Sequence, residues 1–209
     1  MKTFVFIDAS NLFYGGEKSL GWKIDYQKLF DYLKEKYQAE HALYFGGVEI
    51  HNFKYDYLKN ESVPISEIEN YFVNFIKAKQ QTLKESILLM FNEYLQKARF
   101  YKKIEIFGYK LYLKPVKFYK TEEGTVKRKA NCDVDMAFHL MKEKDNFDRA
   151  IILSGDGDFL PVLKYLKSQN KEIIILARGA RTAKEIRQFA GSNFRDFVRL
   201  ESRIKFVEK

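Results

Sequence analysis

Five aspartates of this 209-residue chain fall in three short stretches: Ile7-Asp8-Ala9-Ser10-Asn11, Asn131-Cys132-Asp133-Val134-Asp135 and Ser154-Gly155-Asp156-Gly157-Asp158. Carboxylates gathered in one place repel one another and take up protons unless a cation compensates them. Oxygen donors without a His or Cys cluster suit a hard divalent ion, Mg²⁺ or Mn²⁺, rather than Zn²⁺. An ion so held activates water and stabilises the oxygens of a phosphodiester under attack. Each stretch alone is weak, because a single Asp at a strand end commonly serves as a turn residue or helix cap. Three such stretches on one edge of a sheet are harder to dismiss. Asp133 and Asp135 are two positions apart, so both reach one ion only if Asp133 stands at or before the start of its helix. Asp133 is the first choice and Asp135 the second, and Asn11 is placed to orient Asp8 or hold a water. No glycine-rich dinucleotide fingerprint, P-loop lysine or calcium loop accompanies these acids.

The surrounding pattern predicts the elements that would bring them together. Thr3–Asp8 is a short apolar run with the form of a buried strand. Ile24–Tyr37 carries a helical stripe that Asp25 can cap, and His41–Gly47 returns as a strand, so the two strands should be parallel. Residues 50–64 read as an irregular loop. Ser66-Glu-Ile-Glu69 matches a capping box and opens a helical stretch to about Tyr101, with a break near Lys77–Thr82. Ile104–Phe107, Tyr109–Leu113 and Pro115–Tyr119 are strand-like, and a turn at Glu122–Gly124 leads into Val126–Lys129 as a hairpin. Asp133–Lys142 is helical, Arg149–Ser154 a buried strand, Phe159–Ser168 a helix, Ile173–Ala177 a strand and Thr182–Phe189 a helix. Phe197–Leu200 reads as a last short strand. This order calls for one three-layer α/β/α domain over residues 1–209, with a mainly parallel sheet and a helical insertion at about 50–101. In such sheets ligands bind outside the carboxyl ends of the strands, where the three acidic stretches fall. An excess apolar face on the insertion would suit a homodimer contact.

Composition narrows the field further. With 46% hydrophobic and 31% charged residues the chain is neither collagen-like nor disordered. Its single cysteine, Cys132, excludes an intrachain disulfide and a cysteine zinc site and suits a reducing compartment. Asp8 interrupts the N-terminal apolar run too early for a signal peptide, and no later run reaches the roughly 20 apolar residues of a membrane span, so a cytoplasmic protein is expected. The net charge of +9 is unevenly distributed: residues 99–129 hold 10 basic and 3 acidic side chains, 130–163 hold 3 and 7, and 164–209 hold 12 and 5. Two basic blocks bracketing an acidic one suit a polyanionic partner. Lys127, Arg128 and Lys129 precede the acidic helix, while Arg178 and Arg181 follow the Ile-rich strand, where helix N–H groups also favour phosphate. Lys184 and Arg187 read equally well as a solvated helix face. Tyr14 and Trp22 are the best-placed aromatics for stacking an unpaired base.

The motifs Phe-Ile-Asp8-Ala-Ser-Asn11-Leu, Lys129-Ala-Asn-Cys-Asp133-Val-Asp135-Met-Ala and Leu153-Ser-Gly-Asp156-Gly-Asp158-Phe-Leu-Pro161 together resemble the NYN domain family, the LabA-like branch of the PIN-like nucleases. The likeness covers residues 1–48 and about 100–200. It implies a PIN-like α/β/α fold and a Mg²⁺- or Mn²⁺-dependent ribonuclease. By position, Asp8, Asp133 and Asp156 match the family's main acidic residues, and Asn11, Asp158 and Ser154 its supporting ones. Two departures stand out. His139 occupies a position where the family commonly has another acid, and Ala-Asn-Cys-Asp133 replaces the usual Lys-Gly-Val-Asp. Loss of that acid would weaken or relocate one metal; His139, one turn from Asp135, is read as a hydrogen-bonding neighbour rather than a ligand. Single-stranded or flexible RNA is the expected substrate, since its phosphate can adopt in-line geometry. A catalytically weak RNA-binding module is the alternative. Phosphoryl transfer on a small ester is a third reading, less favoured because a small substrate needs no such basic blocks.

Overall fold

The computed structural model describes residues 1–120 and 125–208. Its strands are β1 (Thr3–Asp8), β2 (Ala39–Val48), β3 (Tyr109–Pro115), β4 (Lys117–Lys120), β5 (Val126–Lys129), β6 (Arg149–Leu153), β7 (Glu172–Ala177) and β8 (Phe194–Asp196). The helices are α1 (Lys18–Leu20), α2 (Tyr26–Tyr37), α3 (Ile65–Lys79), α4 (Glu85–Ile106), α5 (Asp133–Lys142), α6 (Leu160–Ser168), α7 (Lys184–Ala190) and α8 (Glu201–Ile204). Six strands form one sheet in the order β3-β2-β1-β6-β7-β8. The β1/β2, β1/β6, β6/β7 and β7/β8 pairs are all parallel. The chain divides into two compact units, one of Met1–Phe45, Phe107–Lys110 and Cys132–Lys209, the other of Gly46–Ile106 and Leu111–Asn131.

In the first unit β1 is buried at all six positions, as a central strand covered on both faces must be. Leaving β1, the chain steps through α2 to β2 on one side; leaving β6, it steps through α6 to β7 on the other. Right-handed crossovers in opposite directions put α2 and α6 on opposite faces, which makes three layers. Accordingly α2 packs with α8, and α5 with α6. The same reversal opens a crevice between the carboxyl ends of β1 and β6, the topological switch point of the sheet. Asp25 caps α2 as expected, its Oδ1 accepting the Gln27 and Lys28 N–H groups at 3.0 and 3.1 Å. Behind α2, the Tyr109 hydroxyl donates to the Tyr26 carbonyl at 2.8 Å.

The second unit is built on α3 and α4, whose buried Ile68, Phe72, Phe91, Tyr94 and Ala98 form its core. Residues 50–64 are irregular, apart from turns, as their pattern implies. The Tyr101 hydroxyl donates to the Gly47 carbonyl at 2.7 Å, and Lys97 meets Glu49 at 3.0 Å. β4 and β5 form an antiparallel ribbon, with Lys117 opposite Lys129 and Phe118 opposite Arg128. The turn expected at Glu122–Gly124 lies outside the described residues.

Four local expectations need correction. Ser66-Glu-Ile-Glu69 is not a capping box: α3 already begins at buried Ile65, with Pro64 as its N-cap, and Glu69 instead pairs with Lys102 at 2.7 Å and Arg99 at 3.4 Å. Ile104–Phe107 is not a strand, because Ile104 continues the buried stripe of Phe91, Tyr94, Leu95, Ala98 and Tyr101 at helical spacing. Phe197–Leu200 is a 3₁₀ turn, begun where Asp196 accepts the Val198 N–H at 3.1 Å; the last strand is Phe194–Asp196. The helix expected from Thr182 starts at Lys184, because the Thr182 hydroxyl donates to the Arg178 carbonyl instead of capping. Asn11–Glu17 forms a π-helical turn that no sequence pattern had suggested.

Gly108 is the glycine this fold most needs. It sits at φ +105°, and a Cβ there would lie 2.6 Å from Phe30 Cζ. Gly21 also has positive φ, +76°, but a Cβ there meets nothing within 4 Å. Gly108→Ala should therefore lose about 3 kcal/mol in urea unfolding, from backbone strain plus overpacking. Gly21→Ala should lose only about 1 kcal/mol, from strain alone. Equal losses would mean that the Phe30 contact contributes nothing.

Candidate active site

Parallel register sets Ile7 opposite Leu153, so the next residues, Asp8 at the end of β1 and Ser154 just after β6, emerge side by side at the switch point. Asp8 is only 6% exposed. Its Oδ1 accepts the Asn11 N–H at 3.0 Å and its Oδ2 accepts the Ser154 hydroxyl at 3.1 Å. Ser154 in turn accepts the Asp156 N–H at 3.2 Å, and the Asn11 side-chain oxygen accepts the Gly155 N–H at 3.0 Å. Asp156 caps the short turn Gly157–Phe159 by accepting the Asp158 N–H at 3.0 Å. One chain of hydrogen bonds thus joins Asp8, Asn11, Ser154 and Asp156, while Asp158 is exposed at its edge.

Burial pushes the Asp8 carboxyl up to about 6, and the negative charge of Asp133 pushes the same way. The hydrogen bonds from Asn11, Ser154 and Ser10 oppose both but do not cancel them. Asp133 is the first residue of α5 and Asp135 the third, so the condition for both to reach one ion is met at the level of the backbone. Asp8 makes no ion pair among the described residues. The donor chemistry suits a hard cation: a buried carboxylate repelled by Asp133, with no ion pair among the described residues. Among the described residues, however, no three His, Cys, Asp or Glu side chains converge closely enough to form a metal-binding group.

Other candidates take different places. His139 is 4% exposed, with its ring centroid 5.4 Å from that of Phe45 and 5.3 Å from that of Phe138. Arg178 lies 3.4 Å from Asp196, whereas Arg181 is exposed. Lys127, Arg128 and Lys129 lie on β5 in the second unit.

Three groups near the crevice escaped sequence reasoning. Glu185, in the first turn of α7, brings its carboxylate against Gly157 so closely that a Cβ there would collide with it. An acid in the first turn of a helix that follows a strand on this edge was the available signal. Glu17 is partly buried, accepts the Ile24 N–H at 3.0 Å, and has its carboxyl raised by that burial. Tyr44 is fully buried on β2, and its hydroxyl is held well above the usual range by burial, with Tyr26, Glu17 and Asp8 adding to the effect. No spacing signal links Tyr44 or Glu17 to Asp8; the fold alone brings Tyr44 within range of both carboxylates.

This α/β arrangement, with carboxylates at the switch point, has relatives. The NYN domain model matches residues 70–198, more than half of the chain, and the chain belongs to the NYN domain family. That match contains Asp133, Asp135, Asp156 and Asp158, while Asp8 precedes it. A nearly full-length relative is the low amplitude and bright protein LabA of Synechococcus elongatus, 20% identical over 205 residues, spanning 98% of this chain and 87% of that protein. The fold also resembles the crystal structure of a protein of unknown function from Vibrio parahaemolyticus, at a TM-score of 0.61 and 16% identity, over 98% of this chain and 96% of that one.

The raised Asp8 carboxyl has a signed consequence for the metal-free protein. Its ordinary value is 3.8, so the folded state holds this proton more tightly than the unfolded one. The resulting stability is full below pH 3.8 and is lost as pH rises through about 6, a difference of about 3 kcal/mol. Asp8→Asn should therefore unfold at higher denaturant than the wild type at pH 8 in EDTA, by about 1–3 kcal/mol. The gap should close as the pH is lowered towards 4. A gap independent of pH would show that the Asp8 charge is not strained by its surroundings.

Proposed function

We propose that this chain is a metal-dependent ribonuclease acting on single-stranded or flexible RNA in the cytoplasm. The observation that carries the reading is Asp8: a buried carboxylate at the switch point, pushed up by burial and by Asp133, with no ion pair among the described residues. Membership of the NYN family supports a nuclease-like domain and nucleic acid as its partner. Among the described residues no helix is long and apolar enough to cross a membrane.

In this reading Asp8 and Asp133 hold a Mg²⁺ or Mn²⁺ ion, with Asp156 and Asp135 as further ligands and Asp158 in support. When bound, such an ion supplies Lewis-acid stabilisation of the phosphate oxygens and an acidified water. Ser154 and Asn11 keep Asp8 in one orientation, each through a hydrogen bond to a different carboxylate oxygen. Arg181, Arg178, Lys127, Arg128 and Lys129 supply positive charge for the flanking phosphates. A flexible strand lets the attacking oxygen and the leaving oxygen come into line, which a stacked duplex resists.

One observation favours the second reading, a catalytically weak RNA-binding module. His139, where the family commonly has an acid, is packed against Phe45 and Phe138. Turnover of labelled single-stranded RNA separates the two. Cleavage should require Mg²⁺ or Mn²⁺ and fall by about 100-fold or more in Asp8→Asn and Asp156→Asn. Cleavage that survives both substitutions, or persists in EDTA, would sink the metal-nuclease mechanism. Salt-sensitive binding without cleavage would favour the module. Asp8 also offers a readout free of catalysis: Mg²⁺ should raise the melting temperature of the wild type but not of Asp8→Asn.

A further inference from the structure

The π-helical turn Asn11–Glu17 directs two aromatic rings outward, Phe13 at 41% and Tyr14 at 58% exposure. Leu12, at 1% exposure, already anchors this turn in the core, so neither ring is required to hold it. The rings meet edge to face with centroids 5.1 Å apart, an arrangement that fixes each against the other. Lys18 places its Nζ 5.4 and 5.3 Å from the two centroids. Exposed Lys18 forms no ion pair among the described residues. The turn starts three residues after Asp8, and its first residue, Asn11, binds Gly155 of the loop after β6. π-helical turns are rare and are found disproportionately at functional sites.

We propose that Phe13 and Tyr14, with Lys18, are a stacking platform for an unpaired nucleobase of the RNA strand whose phosphate reaches Asp8. The inference rests on the ribonuclease reading and specifies how the strand is seated. Two exposed aromatic rings set nearly perpendicular, with an uncompensated cation beside both, match a nucleotide, whose base can stack on one ring face and whose phosphate offers a negative charge. Bases inside a duplex have both faces covered by their neighbours, so the platform selects single strands. A protein partner would need no cation over the rings, and a second copy of this basic chain would bring more positive charge to Lys18.

Anisotropy of a fluorescent single-stranded oligoribonucleotide in EDTA tests this on the full chain. Phe13→Ala and Tyr14→Ala should each weaken binding by about 5- to 150-fold, while Phe13→Tyr and Tyr14→Phe retain it. The affinity for the same sequence as a duplex should not follow the aromatic substitutions. Lys18→Ala should lower the salt dependence of binding by about one phosphate contact, and the ring substitutions should leave it unaltered. In turnover assays with Mn²⁺ the loss should fall on KM rather than kcat. Wild-type affinity in the double alanine variant overturns the platform, as does an equal loss for duplex and single strand, or no RNA binding by the wild type. A wild-type dimer that the double variant dissociates, with RNA affinity intact, would assign the rings to a second copy and overturn it too. Circular dichroism of each variant checks folding, and the conservative variants keep the test valid if an alanine variant unfolds. Tight single-strand binding that needs the rings but leads to no cleavage would sink the ribonuclease reading alone. Cleavage with unchanged KM in the double variant would sink the platform alone.

Discussion

The arrangement of the first unit follows from one constraint: a carboxylate placed at the carboxyl end of the central strand must be enclosed by its neighbours. β1 runs between β2 and β6, so Asp8 lies beside the ends of both. Taking a charge out of water is costly unless dipoles replace the lost solvent. Here the replacements are specific, the Asn11 N–H on one oxygen and the Ser154 hydroxyl on the other. They leave the carboxyl at about 6 rather than 3.8, so the strain is only partly relieved. A residual cost of about 3 kcal/mol is a substantial share of the 5–15 kcal/mol that stabilises a typical domain. Asparagine at the same position would carry no charge, with one oxygen to accept the Asn11 N–H and an amide NH₂ that could donate to the Ser154 hydroxyl oxygen.

From that carboxylate the hydrogen bonding runs along the sheet edge from β1 through β6 and β7 to β8. Asn11 and Ser154 tie the ends of β1 and β6 together. The Gly155 carbonyl accepts the Ala183 N–H at 2.9 Å, and Thr182 packs so closely that a Cβ on Gly155 would lie 2.6 Å from its Oγ1. Thr182 donates to Arg178, and Asp196 receives both the Arg178 guanidinium and the Gly179 N–H. The ends of β1, β6, β7 and β8 are therefore one connected belt. A site built on such a belt is held by the sheet rather than by loop conformation, the condition under which a few buried polar groups keep a fixed geometry. Arg178 is part of this belt, so any phosphate contact it makes competes with Asp196.

Much of this was legible in the sequence wherever one physical signal acted alone. β1 and β6 announce themselves as apolar runs between polar residues, and Asp25 at the head of an amphipathic stripe is a cap in the sequence and in the fold. Reading failed where two signals overlapped. Ile104-Glu-Ile alternates like a strand, yet Ile104 also extends a helical stripe begun at Phe91, and packing decides for the helix. Ser66 and Glu69 have capping-box spacing, but burial of Ile65 starts the helix earlier and two cations claim Glu69. Strand order was invisible, because chain order does not say on which side of β1 each later strand will lie. For that reason the adjacency of the acidic stretches could only be expected, and Glu17 and Tyr44 could not be connected with them. Likewise, the free charge at Arg181 and the engaged one at Arg178 look alike until Asp196 is placed.

The distribution of positive charge bears most directly on the lack of an ion pair at Asp8 among the described residues. The chain carries 37 Lys and Arg side chains against 28 acids, so a counter-charge for one buried carboxylate is not scarce. Acids elsewhere find partners: Glu49 has Lys97, Glu69 has Arg99 and Lys102, Glu172 has Arg149, and Asp196 has Arg178. A lysine or arginine at Asp8 would have removed the strain permanently and filled the crevice. Its absence leaves the negative charges of Asp8 and Asp133 acting on one another, which is what the proposed reading asks of a site that takes up a soluble cation. Negative potential of this kind would repel RNA in the absence of the ion. In the proposed function, metal binding and substrate binding at Asp8 would then be coupled by electrostatics, with the basic residues elsewhere on the chain holding the strand until that charge is neutralised.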